Sequence, residues 1–400
     1  MKRLVSFLGT GEYEETVYEL GDSPGRRHKT RFVADALACL LDVDELFVLA
    51  TCEAWSKHGD ALREKLPGKV KAVLREIPAG QRREELEQQF LVLRDAVTEN
   101  DPDTLILDIT HGFRAQPFFA AGVFAQLHAC GHLPRRTEVY YGEWRREGIS
   151  PLWSLGAFVD LLGWAQGTAV MRHTGDGRLL VEALKKQRHE QGRRVEKRGG
   201  RFPDTARLIG AIERFSSDLG CIRIASMITG YSQGGAAGVS SAAELLNALD
   251  QYREEAEKWH PQLVPLFESL KGLAEGIDSS SLYGDGGLAA MQALAGRYLQ
   301  LGRYPEAAVV VREGRISRYA RGPEAVEVKE GKYSPEAREE AEKRWREEEA
   351  NRARNTAAIR NDLLHGGFNR QPLAAGRLKE RVEKEVEEFS LLETGGHRGG

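Results

Sequence analysis

Short, β-branched apolar runs alternate with helical stretches through the first 160 residues of this 400-residue chain, and that alternation leaves few folds open. Arg3 to Leu8, Glu45 to Ala50, Lys69 to Ile77, Thr104 to Ile109 and Glu138 to Gly142 read as strands. Between them, Lys29 to Leu41, Gln81 to Thr98 and Gln116 to Cys130 carry apolar residues at helical spacing. Strands joined by helices pair in parallel, because a crossover rather than a hairpin connects them. A Rossmann-like α/β domain is therefore expected over residues 1–160, with any ligand at the carboxyl ends of its strands. Ser150 to Gln166, apolar and aromatic, is expected to be a last strand or turn feeding a joining helix, with Trp153, Phe158 and Trp164 packed as core.

From residue 161 to 400 the pattern turns almost wholly helical. Arg178 to Gly192, Asp204 to Leu219, Ala242 to Glu257, Gly287 to Leu301, Pro305 to Val311, Ser334 to Leu364 and Ala374 to Leu391 show the 3.6-residue period, separated by breaks rich in Gly, Ser and Pro. An all-α second domain follows. Lys185 to Arg201 is locally basic, with eight Lys or Arg against Glu190 and Glu196. It reads as a solvated helix face or as a strip that guides RNA.

Composition narrows the function. A formal net charge of -3 with 29% charged residues excludes a uniformly basic nucleic-acid binder, so any such contact must be local. Cys39, Cys52, Cys130 and Cys221 show neither a CxxC pair nor a Cys/His ligand spacing, which argues against disulfides and structural zinc. The apolar run from Met1 to Leu8 is too short for a signal segment or a membrane span, so a soluble cytoplasmic protein without membrane contact is expected.

The strand ends carry the unusual residues. Gly9, Thr10 and Gly11 follow the first strand, and Thr51, Cys52 and Glu53 follow the second. Thr110, His111, Gly112, Phe113 and Arg114 follow the Thr104 to Ile109 strand and lead directly into a helix. Glycine lets backbone approach a phosphate closely, and amides at a helix start add a positive field. An anionic, nucleotide-like ligand fits such loops. A dinucleotide is disfavoured, because the GTG lacks a third Gly and no acidic residue follows at the ribose spacing. No GxxxxGK[ST] phosphate loop occurs. Asp108 either fixes the turn after its strand or contacts ligand, and His111 is either a loop histidine or a ligand contact.

A second candidate lies near the C-terminus, in Ile359-Arg-Asn-Asp-Leu-Leu-His-Gly-Gly367. In a helix Asn361 and His365 share a face, with Arg360 beside them. A guanidinium to hold phosphate, an amide to position it and an imidazole that exchanges protons near neutral pH can break a phosphodiester without metal. The same residues also read as an ordinary helix stop, with a cation in the last turn and Gly supplying the turn.

Two of these blocks resemble known families. SFLGTGEYE and LILDITHGFRAQP resemble the CARF domains of CRISPR-associated proteins, and IRNDLLHGG resembles the Arg-x4-6-His motif of HEPN ribonucleases. Their order is similar to that of the accessory ribonucleases of type III CRISPR systems. The resemblance implies a CARF sensor of cyclic oligoadenylate, tetra- or hexa-adenylate, followed by an all-α HEPN domain that cleaves single-stranded RNA. It implies a homodimer, or a higher homo-oligomer of such dimers, in which the ligand spans a two-fold axis, the HEPN motifs form one composite site, and no metal or other cofactor is used. Carried over, Gly9, Thr10, Gly11, Thr110, His111, Gly112 and Arg114 contact the ligand, joined by Thr51, and Arg360, Asn361 and His365 are catalytic. Two alternatives remain: a sensor whose HEPN domain only dimerises, and a ring nuclease that opens its own ligand through His111, Thr10 or Thr110.

Overall fold

The computed structural model describes residues 1–186, 188, 205–230, 238–259, 261–283, 285–320, 335–368 and 371–392. The chain divides into two compact units, Met1–Gly163 and Trp164–Gly400.

The first unit is built on an eight-stranded sheet: β1 (Lys2–Leu8), β2 (Thr16–Leu20), β3 (Arg27–Thr30), β4 (Glu45–Ala50), β5 (Lys71–Glu76), β6 (Thr104–Asp108), β7 (Arg136–Gly142) and β8 (Ile149–Ser154). Their order is β3-β2-β8-β7-β6-β1-β4-β5. Strands β5, β4, β1, β6 and β7 run parallel, which their crossover helices α1 (Val33–Leu41), α2 (Cys52–Lys65), α3 (Arg83–Thr98) and α4 (Gln116–Ala129) require. β8 pairs antiparallel to β7, and β2 joins β8 with β3 as its hairpin partner. Central strands buried on both faces read as nearly unbroken aliphatic runs, as in Leu4 to Leu8. Leu4, Leu46, Val48 and Ile106 pack with α1 and α2 on one face; Val5, Phe47, Leu49 and Leu107 pack with α3 and α4 on the other.

Several expectations are corrected here. Lys29 and Thr30 belong to β3 rather than to a helix, which starts at Val33, because Arg27–Thr30 pairs residue by residue with Thr16–Glu19. β2 and β3 were not anticipated, being short and polar, nor was α2, whose face is mostly charged. Ser150 does enter a strand, β8, but Trp153 and Phe158 are not core: they are 40% and 63% exposed, whereas Trp164 is buried. Trp153 lies instead over Gly21, where a Cβ would fall 2.6 Å from the indole, and its Nε1 donates to Glu143.

Helix α5 (Gly156–Thr174) contains the boundary between the units. The second unit contains α6 over 178–186, α7 (Ala206–Gly220), α8 (Ile224–Thr229), α9 (Ser241–Trp259), α10 (Val264–Lys271), α11 (Asp285–Gln300), α12 (Tyr304–Tyr319), α13 (Pro335–Glu348), α14 (Ala350–Leu364) and α15 (Ala375–Ser390). The helix expected from Ser334 to Leu364 is two, broken at Glu349, whose carboxylate accepts from Tyr319 and Arg352. α8 and α10 were not foreseen, and α12 runs past Val311 to Tyr319. Most of the basic stretch Lys185–Arg201, with the breaks at Gly199, Gly200 and Pro203, lies outside the described residues.

A buried ionic cluster fastens α12, α14 and α15. Arg315, 3% exposed, donates to Thr356 Oγ1 at 2.6 Å and pairs with the Glu385 carboxylate, which also accepts from Thr356 at 2.8 Å. One step earlier Gly314 meets Phe389, and a Cβ there would fall 2.2 Å from the ring. Removing one partner of a buried pair strands the other charge. Arg315→Ala should cost about 3–5 kcal/mol in denaturant unfolding, and the pair replacement Arg315→Met with Glu385→Leu should recover most of it.

Candidate functional site

Among the parallel strands the chain passes from β1 to β4 and β5 on one side, then to β6 and β7 on the other. The strand order thus reverses between β1 and β6, and a crevice opens at their carboxyl ends. Gly9 to Glu12 and Thr110 to Arg114 are the two loops on that crevice.

Asp108, the last residue of β6 and wholly buried, holds both sides together. Its Oδ2 accepts from Ser6 of β1 at 2.7 Å, and its Oδ1 accepts from the Thr110 amide at 2.9 Å and hydroxyl at 2.6 Å. Thr110 Oγ1 accepts in turn from the Gly142 amide at the end of β7, at 2.8 Å. Asp108 therefore fixes the turn, with its acceptor capacity largely spent on protein donors.

The β1 loop is held by side chains that the sequence reading did not single out. A carbonyl can only accept, so His58 of α2 donates from Nε2 to Gly11 O at 2.9 Å. Lys57 Nζ donates to Thr10 O at 2.9 Å and to Glu12 at 2.6 Å. Tyr13 Oη accepts from the Gly9 amide at 2.8 Å, and its ring meets those of His58 and His111 edge-on, with centroids 4.8 and 4.7 Å apart. A Cβ on Gly9 would lie 3.4 Å from His111 O, so the two loops approach closely where the residue is glycine. Among the described residues the amides of Thr10, Gly11, His111 and Gly112 have no protein acceptor.

Thr51 caps α2, its hydroxyl accepting from the Ala54 amide at 3.2 Å, which aims the amino end of α2 out of the carboxyl end of β4. Gln116, at the start of α4, likewise accepts from the Phe113 amide at 2.8 Å. A Cβ on Gly112 would fall 2.4 Å from that Gln116 oxygen. Arg114 is exposed and has no ion-pair partner among the described residues. Two helix amino ends, open amides and a free guanidinium make the crevice suited to an anion.

His111 is the most unusual group in it. Its Nε2 is buried without a hydrogen-bond partner, and burial pushes the imidazole pKa down, partly offset by Asp108. Such an atom costs free energy until something fills it. Two clefts elsewhere, one around Arg94 and His132 and one around Arg178 and Arg303, hold cations of which Arg94, Arg178 and Arg303 are paired with Asp95, Asp176 and Glu306.

In the helical unit, α14 buries Ala353, Thr356, Ile359 and Asp362 and exposes the opposite face. Asn361 and His365 are exposed one turn apart, and half-buried Arg360 donates to Asn361 Oδ1 at 3.1 Å. The expected helix stop is also realised: Gly366 and Gly367 take left-handed φ of 59° and 77°, and the Gly367 amide bonds Asp362 O at 3.0 Å. The His365 ring has no hydrogen-bond partner among the described residues, and exposed Leu364 and Phe368 flank it. The three side chains present a cation, an amide and an imidazole to solvent on a helix end held from behind by Thr356.

All four cysteines are free. Among the described residues, no helix is long and apolar enough to cross a membrane.

A histidine held neutral by burial destabilises the fold where it must charge. His111 titrates in the folded state below its usual 6.5, so the unfolded chain binds the extra proton between those values. Stability of the ligand-free protein should therefore be flat above pH 7 and fall as pH drops below about 6.5. A melting series from pH 8 to pH 5 tests this, and His111→Gln should flatten the acid slope.

The sequence over residues 3–141 matches the family model described as CRISPR system endoribonuclease Csx1, CARF domain. No curated protein matches the chain. The matched stretch spans β4, β6, nearly all of β1 and β7, and both crevice loops, so the crevice-bearing part of the N-terminal unit is similar to that CARF domain.

Proposed function

We propose that this protein is a cyclic-oligoadenylate-activated endoribonuclease that cleaves single-stranded RNA, without a catalytic metal, in type III CRISPR defence. The observation that carries the reading is the position of the matched segment: residues 3–141 hold an anion-suited crevice at the switch point of the sheet. The ligand's phosphates would take the open amides of Thr10, Gly11, His111 and Gly112 and the guanidinium of Arg114, while the unfilled Nε2 of His111 meets a polar atom of the ring.

Cleavage is assigned to the helical unit, read as a HEPN domain. The substrate's ribose 2'-hydroxyl attacks the adjacent phosphorus, and the P–O5' bond breaks to leave a 2',3'-cyclic phosphate and a 5'-hydroxyl. His365 moves a proton as general acid or base, Arg360 stabilises the charge growing on the phosphate, and Asn361 orients the group. One such set per chain is sparse. A homodimer would double it across a two-fold axis, and the exposed Leu364 and Phe368 beside His365 suit that contact. Regulation then requires the ligand to bind one dimer geometry more tightly than the other.

A second reading, in which the crevice opens the ring itself, is favoured by His111, an imidazole held neutral in the ligand loop. Incubation of the cyclic ligand with wild type and His111→Ala separates the two, because ring opening needs the crevice and spares His365→Ala.

His365→Ala and Arg360→Ala should each lower activated RNA cleavage by about 10²-fold or more while ligand binding persists. Near wild-type cleavage by His365→Ala removes the mechanism. Arg114→Ala should raise the half-activating ligand concentration about ten-fold or more at an unchanged saturated rate, as loss of a charge-assisted hydrogen bond implies. Withholding Mg2+ and Mn2+ should leave the rate unchanged.

A further inference from the structure

A second set of converging groups lies in the N-terminal unit, on β3 and α1 rather than on the crevice loops. Asp35, in the first turn of α1, is wholly buried. Its Oδ2 lies 2.9 Å from Nε2 of His28 on β3, and its Oδ1 lies 3.6 Å from Sγ of Cys39, one turn further along α1. The three donor atoms are all within 4.8 Å of one another, and His28 and Cys39 are only half-buried, so solvent reaches one side.

The surroundings of Asp35 are poor for a carboxylate. Among the described residues it has no Lys, Arg or backbone amide donor; its partners are one imidazole and one weak thiol. Arg26, the neighbouring guanidinium, is spent on the carbonyls of Cys39 and Leu40 at 3.2 and 3.3 Å. Buried carboxylates ordinarily have more complete partners. An imidazole nitrogen, a carboxylate oxygen and a thiolate sulfur are each ligands of Zn2+, and tetrahedral bonds of about 2.0–2.3 Å place such donors roughly 3.3–3.7 Å apart. Small shifts of the His28 and Cys39 rotamers would bring the set to that spacing.

We propose that His28, Asp35 and Cys39 form a Zn2+ site whose fourth position is taken by water. Binding releases the Cys39 thiol proton to solvent, and any proton on His28 Nε2. Thiolate and carboxylate then balance the cation's two charges, with neutral imidazole as the third ligand. The ion performs no chemistry. It ties β3, an edge strand of four residues, to α1, where β2 is its hairpin partner in the sheet. Sequence spacing pointed away from zinc because only Asp35 and Cys39 share an element, and the third ligand comes from a strand not anticipated as one.

The test uses the full chain, stripped with chelator, dialysed and titrated with Co2+ alone. The wild type should take up one equivalent, with the visible bands of tetrahedral cobalt and a thiolate-to-cobalt charge-transfer band, both lost on adding Zn2+. Zn2+ should also raise its melting temperature. Cys39→Ser should lose the charge-transfer band, and His28→Gln should bind Co2+ about ten-fold more weakly or worse. Absence of the band in wild type, or a band that survives Cys39→Ser because Cys52, Cys130 or Cys221 supplies the sulfur, overturns the site. Should Cys39→Ser fail to fold, His28→Gln decides: an unchanged Co2+ affinity in it overturns the site. Neither result depends on whether RNA is cleaved.

Discussion

A single buried carboxylate makes the crevice possible. Asp108 ends β6 wholly out of solvent, takes one hydrogen bond from Ser6 of β1 and two from Thr110, and through the Thr110 hydroxyl reaches the end of β7. Three strand ends are thereby held in register where the sheet's order reverses. A buried carboxylate tolerates such a place only when donors surround it, and the donors here are the groups that shape the crevice loop. Removing Asp108 would therefore cost the loop as well as the strand pairing. Thr110 satisfies the carboxylate, and the amides of His111 and Gly112 are left without a protein acceptor among the described residues.

The helical unit rests on a comparable device. Arg315, Thr356 and Glu385 bind α12, α14 and α15 through one guanidinium, and Thr356 lies on the buried side of the helix that ends in Arg360 and His365. A buried ion pair adds little net stability over an apolar packing of the same shape. Its geometric demand is stricter. It fixes the rotation of α14 about its axis, and that rotation decides whether Asn361 and His365 face solvent.

Strands β1, β4 and β6 were legible because burial on both faces forces continuous aliphatic sequence, α3 because its apolar residues recur at helical spacing, and α4 because its apolar run, opened by Gln116 and Pro117, is too long for a strand. The loops at the ends of β1 and β6 were legible for a related reason: glycine where two backbones approach, and polar residues where an apolar run stops. The hairpin β2–β3 was not, since Arg27–Thr30 has one buried side chain and the hairpin joins the sheet only through the pairing of β2 with β8, distant in sequence. Lys57 and His58 were missed with the helix that carries them. The buried face of α2 is Ala54, His58, Gly59 and Leu62, with few large apolar residues among many charges, and only the fold brings Lys57 and His58 to the carbonyls of Thr10 and Gly11. Trp153 and Phe158 show the opposite failure, aromatic residues whose type suggests a core but which the fold leaves exposed, one on β8 and one in the first turn of α5.

The two candidate sites lie in different units of the chain, and the proposal joins them by ligand-dependent choice between dimer geometries rather than by direct contact. Its most direct test is the cleavage rate of a labelled single-stranded RNA by the wild-type protein, titrated separately with cyclic tetra-adenylate and cyclic hexa-adenylate. One of the two rings should raise a negligible basal rate in a saturable way. A rate that is the same with and without either ring would contradict control of the helical unit by the crevice.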